Sequence, residues 1–344
     1  MKAISAGKLR GLRRLADREG FFSMLAVDQR PPIMGHLEKV RGDRTAPDEE
    51  VAAVKRALLS ALGPSASAVL CDPIWAYPCA WDTVAPGQGL IVTLEDHRFE
   101  DGRGGRRSGA IPGWSVEKIK RMGGDGVKVL AWFRPDAAPE VIEHQERFVR
   151  QVGEDCRRFD LPFVLELLVH PFAGATEDYV EDPAKRPELV LESVRRFADL
   201  ANGVDVFKLE SPLPPVAVPE PDGPEASGVQ KLFDRLGEAA GRPWVLLSAG
   251  ASADAFARAL TFACRAGASG FLAGRAIWWH AFQLYPDLEA MRRALESDAV
   301  AYLRRLREIT AARGTPWHRH PAMGDGPMLE DAGFAFPTRY EGMA

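Results

Sequence analysis

The chain is poor in the features that mark several large classes of protein. It has only four cysteines in 344 residues: Cys71, Cys79, Cys156 and Cys264. No two are spaced Cys-x-x-Cys, which excludes the usual thiol redox and zinc motifs and a disulfide scaffold. They read as reduced thiols of a cytoplasmic protein. No apolar run approaches the roughly 18–20 residues that a membrane span needs. The N-terminus MKAISAGKLRGLRRLADREG is charged but has no apolar core, so it reads as no secretory signal. Charge of one sign is also scarce. A formal net charge of -4 argues against a nucleic-acid partner. Arg103, Arg106 and Arg107 form a small basic run among glycines that reads as a solvated loop. The seven histidines (His36, His97, His144, His170, His280, His318 and His320) show no metal-ligand spacing, so no metal and no cofactor is expected. His170 alone, just past a strand, is a candidate substrate contact.

What is present is a rhythm. Eight short apolar runs recur: Phe22–Val27, Ser67–Cys71, Leu90–Leu94, Val127–Trp132, Phe163–Val169, Val204–Leu209, Trp244–Leu247 and Gly270–Ala273. They are continuous rather than alternating, as in strands of a parallel sheet buried on both faces. Segments of helical period lie between them, including 51–62, 141–159, 187–200, 229–240 and 253–266. Gly63, Asn202-Gly203, Gly241 and Gly267 stand where left-handed C-caps are wanted, and Ser252 where an N-cap is. The fold class is α/β, and a single (β/α)₈ barrel over about 20–313 accounts for the pattern. One domain over 1–344 is expected. The Lys8–Arg18 segment would cap the barrel, and a C-terminal extension, 314–344, would wrap it or stay mobile. A doubly wound open sheet is the rival. It would carry a Gly-rich turn after its first strand, where Asp28-Gln29-Arg30-Pro31-Pro32 stands instead. Insertions at 95–113 and 211–228 would lie on the active-site face, as substrate covers or as surface excursions. Trp278-Trp279 reads as core packing.

Charged residues at the C-terminal ends of barrel strands point into the mouth. Lys128, Glu166 and Lys208 each interrupt an apolar run, and Asp28, Gln29 and Arg30 follow the first. Charged groups are rarely buried unless paired or functional. Two lysines with two carboxylates suit imine chemistry. One lysine forms the imine, the second lowers the first one's pKa by its charge, and the glutamate moves protons. Alternation puts Lys208 and Phe207 on opposite faces, so if Lys208 faces the barrel interior, Phe207 faces the helices. Ser248 and Gly250 after the seventh run, and Gly274 and Arg275 after the eighth, would hold a phosphate.

The motifs Leu25-Ala26-Val27-Asp28-Gln29-Arg30, Phe207-Lys208-Leu209-Glu210-Ser211-Pro212, Leu247-Ser248-Ala249-Gly250 and Gly270-Phe271-Leu272-Ala273-Gly274-Arg275-Ala276 together resemble the class I tagatose 1,6-bisphosphate aldolases and the sulfofructose 1-phosphate aldolases. The resemblance runs from about Lys8 to Trp279. It implies Lys208 as the Schiff-base lysine, Glu166 as the proton-transfer residue, Lys128 and Asp28 beside them, and no metal. It also implies a sugar-phosphate substrate and a homo-oligomer. Pro31-Pro32, the Pro-rich 211–228 segment and the long tail depart from the family pattern where a distal substrate group would be read. Cleavage of a phosphorylated ketose to dihydroxyacetone phosphate and an aldehyde is the expected reaction. A Schiff-base lyase for another keto or deoxy sugar phosphate, and a non-catalytic sugar-phosphate sensor, are the alternatives.

Overall fold

The structure is a computed structural model, and it describes residues 1–174, 182, 184–334 and 336–340. The eight apolar runs form eight parallel strands: β1 (Phe22–Ala26), β2 (Ala68–Cys71), β3 (Gly89–Thr93), β4 (Gly126–Trp132), β5 (Phe163–Leu168), β6 (Val206–Leu209), β7 (Trp244–Leu246) and β8 (Gly270–Ala273). They close in chain order, with β8 pairing β1 through Gly270 opposite Phe22. The barrel leaves no free edge and takes the place of the open sheet considered from sequence.

The strands are apolar throughout because both faces are covered. Leu25, Val127, Val129, Phe163, Leu165, Phe207 and Leu209 face outward and pack against the helices. Met24, Ala26, Ala68, Leu70, Ile91, Val164, Val206, Val245 and Leu272 fill the lumen. Side chains alternate along a strand, so two residues above Val164 comes Glu166, and two above Val206 comes Lys208. The register then sets Glu166 opposite Lys208. The apolar lumen therefore gives way, one layer up, to a charged one.

The helices follow the periodic segments: Asp48–Leu62, Pro139–Arg158, Arg186–Phe197, Ala226–Ala240 and Ala253–Arg265. Ser252 caps the last of these by accepting from the Ala255 N–H, and Gly241 ends Ala226–Ala240 at φ 56°. Gly63 departs from expectation. Its φ is -50°, and the chain runs on into a 3₁₀ turn instead of a left-handed cap. Trp278 is fully buried, with Nε1 donating to the Ala26 carbonyl.

The floor of the barrel is closed by helix Ala6–Leu15, which puts Leu12 and Leu15 into the lumen cluster with Ile4, Trp317 and Met323. The last two belong to the C-terminal extension. It wraps the floor and adds Pro327–Leu329 in parallel to Lys2–Ile4. Of the two insertions, 95–113 rises over the mouth as a short hairpin, Glu100–Gly102 with Gly105–Arg107. The other, 211–228, packs outward on helix Ala253–Arg265, where Arg258 and Arg265 donate to the Val218 and Pro221 carbonyls.

Gly11 lets the floor helix dock. A Cβ there would lie 2.4 Å from the Asp125 carbonyl oxygen and 2.6 Å from Pro162 Cγ. In an undocked helix Gly→Ala stabilises by about 1 kcal/mol. Gly11→Ala is expected to do the reverse, costing about 1–3 kcal/mol through overpacking. Thermal unfolding decides the sign: a Tm that rises would contradict the docked floor.

Candidate active site

At the C-terminal mouth, one cavity of about 360 Å³ is lined by Asp28, Gln29, Arg30, Lys128, Glu166, Lys208 and Arg275. Three strands and the segments after two others deliver these side chains to one place. Leu130, Trp132, Leu168 and Phe99 give it apolar and aromatic wall, and Glu95, Asp96, His97 and Arg106 add charged and polar groups.

Lys128 stands at the centre. Its Nζ lies 2.9 Å from Asp28 Oδ2, 2.8 Å from Glu95 Oε1 and 2.6 Å from Glu166 Oε2. Burial alone would push this lysine's pKa down, but the three carboxylates outweigh burial and hold it well above the ordinary lysine value. Lys128 is therefore a fixed cation. Its partners respond in kind. Burial would raise Asp28, yet Lys128, Lys208 and Arg30 hold it well below the usual carboxylate range. Glu166 is likewise held low, against its burial, by Lys128 and Lys208.

Glu166 bridges two lysines, since its other oxygen, Oε1, lies 2.8 Å from Lys208 Nζ. Among the described residues Lys208 thus has one carboxylate contact where Lys128 has three. It remains buried, with 4% of its side chain exposed, and lines the cavity. Asp28 Oδ1 is buried without a hydrogen-bonded partner among the described residues, an acceptor left over inside the site.

Arg30, in the cavity wall, is already engaged. Its guanidinium donates to the Glu95 carbonyl and side chain at 2.9 and 3.2 Å. Arg275 is the contrasting case. It has no hydrogen-bonded partner among the described residues, and burial lowers its pKa, opposed by Glu166 and Asp28. Beside it, Ala249 and Gly250 adopt φ 46° and 82° in succession. A Cβ on Gly250 would sit 3.1 Å from Arg275 Nη1, so glycine makes room for the guanidinium. Ser248, Gly250 and Gly274 themselves lie outside the cavity lining. Gly274 closes against the Ala26 carbonyl and the Gln29 side chain.

Three groups stand at the mouth that the sequence reading did not place there. Glu95 comes after Leu94, just past the end of β3, and is held by Thr93 Oγ1 at 2.6 Å as well as by Lys128. Its position just beyond an apolar run was the available signal. Arg106 corrects the reading of a solvated basic loop. It is stacked at 4.7 Å from the Phe99 ring and 4.6 Å from Trp132, and it lines the cavity. His97 also lines the cavity. His170 does not. It packs edge-on to Trp132 and Phe172, and burial lowers its pKa to about 4. Glu210 turns aside to accept from the Val169 N–H and to pair with Arg186. Among the described residues no group of three His, Cys, Asp or Glu side chains could hold a metal ion, and no helix is long and apolar enough to cross a membrane.

The cage has a testable pH signature. Asp28 and Glu166 have lower pKa values folded than unfolded. The stability they contribute is complete above about pH 5 and is lost as pH falls through their folded values. Lys128 contributes in the opposite sense, fully below about pH 10 and lost only as pH rises through its folded value. Lys128→Met removes the only hydrogen-bonded partner that Asp28 has among the described residues and costs about 3–5 kcal/mol at neutral pH. The stranded carboxylates then have raised pKa values, so this variant gains stability as pH falls from 8 to 5. Tm measured over that range should rise with acid in the variant and stay level in the wild type. A variant Tm that is level or falls with acid would contradict the cage.

Comparison with known proteins places the chain. The family model described as DeoC/LacD family aldolase matches residues 22–280. Tagatose 1,6-diphosphate aldolase 2 of Enterococcus faecalis is 31% identical over 339 residues, covering 95% of this chain and 100% of that protein. A tagatose 1,6-diphosphate aldolase of Listeria monocytogenes is 29% identical, covering 92% and 95%. Among solved structures, a Schiff-base-forming fructose-1,6-bisphosphate aldolase aligns with a TM-score of 0.55 at 18% identity, covering 88% of this chain and 98% of its own. Fructose-bisphosphate aldolase of Plasmodium falciparum aligns at 0.66 and 13%, covering 91% and 98%. At those identities the two structures speak to the fold, a closed barrel of the same architecture. The sequence matches reach further, and by them the chain belongs to the DeoC/LacD family of aldolases, enzymes that are carbon–carbon lyases.

Proposed function

We propose that this aldolase works through a Schiff base on Lys208 and cleaves a phosphorylated ketose of the tagatose 1,6-bisphosphate kind. The observation that carries the reading is the unequal treatment of the two lysines. An amine attacks a carbonyl only in its neutral form. Lys128, ringed by three carboxylates, keeps its proton. Lys208, paired among the described residues with the single carboxylate of Glu166, faces the same cavity.

Lys208 gives up a proton, and its Nζ attacks the ketone carbon to form a carbinolamine. Glu166, in reach of Nζ, is placed to carry a proton to the departing hydroxyl, which leaves as water and yields the iminium. A base then removes the proton from the hydroxyl on the carbon β to the iminium carbon. The bond between the α and β carbons breaks, its electron pair passes into the iminium, and an aldehyde departs. The enamine on Lys208 is protonated and hydrolysed to dihydroxyacetone phosphate. Glu166 is the nearest group for these proton transfers, and Lys128 keeps it in place. Asp28 Oδ1, buried and unpaired among the described residues, is a ready acceptor for a substrate hydroxyl. The uncommitted guanidinium of Arg275 beside Gly250 suits a phosphate. Tagatose 1,6-diphosphate as substrate is what the named relatives suggest.

Turnover of tagatose 1,6-bisphosphate to dihydroxyacetone phosphate in the presence of EDTA tests the reading, paired with Arg275→Ala. The variant should lose about 1.5–3 kcal/mol of transition-state binding per charged hydrogen bond removed, or roughly 10–100-fold in kcat/KM. Unphosphorylated tagatose should be affected far less, a comparison in which general damage to the fold cancels. Equal losses for both sugars would take the phosphate away from Arg275. Activity that EDTA abolishes and zinc restores would overturn the Schiff-base route.

A further inference from the structure

The charged layer at the mouth leans on a residue outside the barrel. Lys55 belongs to helix Asp48–Leu62 and is fully buried. Its Nζ donates to the backbone carbonyls of Val27 and Gln29, each at 2.8 Å, and to Asp72 Oδ2 at 2.6 Å. An ammonium has three donors, and all three are engaged. The two carbonyls belong to the residues on either side of Asp28. Asp72 is anchored in turn, because its Oδ1 accepts from the N–H groups of Ile74 and Trp75 at 3.0 and 2.7 Å.

Stability does not explain this pair. Taking two charges out of water costs several kcal/mol per ion, and apolar residues of similar volume pack as well or better. What the pair does uniquely is tie down two carbonyls of a strand-end loop. Continuing the chain past β1, that loop carries Asp28, whose Oδ2 meets Lys128 at 2.9 Å.

We propose that Lys55 is a positioning residue, which clamps the backbone on both sides of Asp28 and so sets the carboxylate against Lys128. The kinetic consequence rests on the Schiff-base reading above; the geometric one does not. A displacement of about 1 Å in such a site costs on the order of 10²-fold in rate.

The test is the double variant Lys55→Met with Asp72→Asn. It removes the clamp without stranding a buried charge, and the amide keeps an acceptor for the Ile74 and Trp75 N–H groups. In its crystal structure the Asp28 carboxylate should have moved from Lys128 by about 1 Å or more, and kcat should fall about 10²-fold. If Lys55 acts through Asp28, the same pair of changes made on Asp28→Asn should alter kcat by less than about twofold. Asp72→Asn alone keeps both carbonyl bonds and should leave Asp28 in place. If the double variant does not fold, Lys55→Arg serves. It retains a charge opposite Asp72 but overfills the three-acceptor site, and the same two readouts apply. An unmoved Asp28, or equal losses with and without the Asp28 carboxylate, would overturn the proposal. Should the wild type cleave no ketose bisphosphate, the reaction reading fails, and the position of Asp28 in the variant crystal still decides the role of Lys55.

Discussion

Three carboxylates meet one ammonium at the mouth of the barrel, and the rest of the site takes its geometry from that contact. Asp28 and Glu95 stand just past β1 and β3, Glu166 on β5, and Lys128 on β4 between the last two. A lysine this deeply buried would ordinarily shed its proton. Here the surrounding negative charge keeps it, and the fixed cation in turn keeps Asp28 and Glu166 ionised. Neither side is tolerable without the other, which is why the arrangement persists in a low-dielectric lumen. Glu166 then has one oxygen for Lys128 and one for Lys208. Lys208 is left as the amine with the fewest commitments.

The fold makes this affordable by separating two tasks along the barrel axis. The lower lumen is apolar and sealed by Leu12, Leu15, Trp317 and Met323 from the two ends of the chain. The upper lumen is charged, and the change takes place within two residues on a single strand, from Val164 to Glu166 and from Val206 to Lys208. Cross-strand register brings Glu166 and Lys208 level. Outside, Lys55 and Asp72 brace the loop that carries Asp28. Over the mouth, Phe99 and Arg106 of the hairpin insertion close one wall with Trp132.

Much of this can be read from the amino-acid order, and the reasons for the rest are physical. Continuous apolar runs identify all eight strands because a parallel barrel buries both faces of each. Lys128, Glu166 and Lys208 stand out because each breaks such a run. Glu95 is hidden by its position one residue past Leu94, where an insertion begins and a charge is unremarkable. Lys55 is hidden because helices carry many lysines; its one signal is its place on the buried stripe with Val51, Leu58 and Leu62. The partner of Arg30, and the contacts that draw Arg106 out of the expected solvated loop, are not contained in one-dimensional spacing. Glu95 occupies Arg30, and two aromatic rings hold Arg106 in the cavity wall. The 211–228 segment likewise packs on its neighbouring helix through backbone acceptors, a partnership its many prolines do not announce.

Which lysine becomes covalent is the central claim, and chemical trapping tests it most directly. Borohydride reduces an imine to a stable secondary amine, and peptide mass spectrometry then locates the adduct. With tagatose 1,6-bisphosphate or dihydroxyacetone phosphate present, the added mass should fall on the peptide containing Lys208, with the Lys128 peptide unmodified and no adduct in Lys208→Ala. An adduct on Lys128, or a Lys208→Ala protein that still turns over and still traps substrate, would contradict the account.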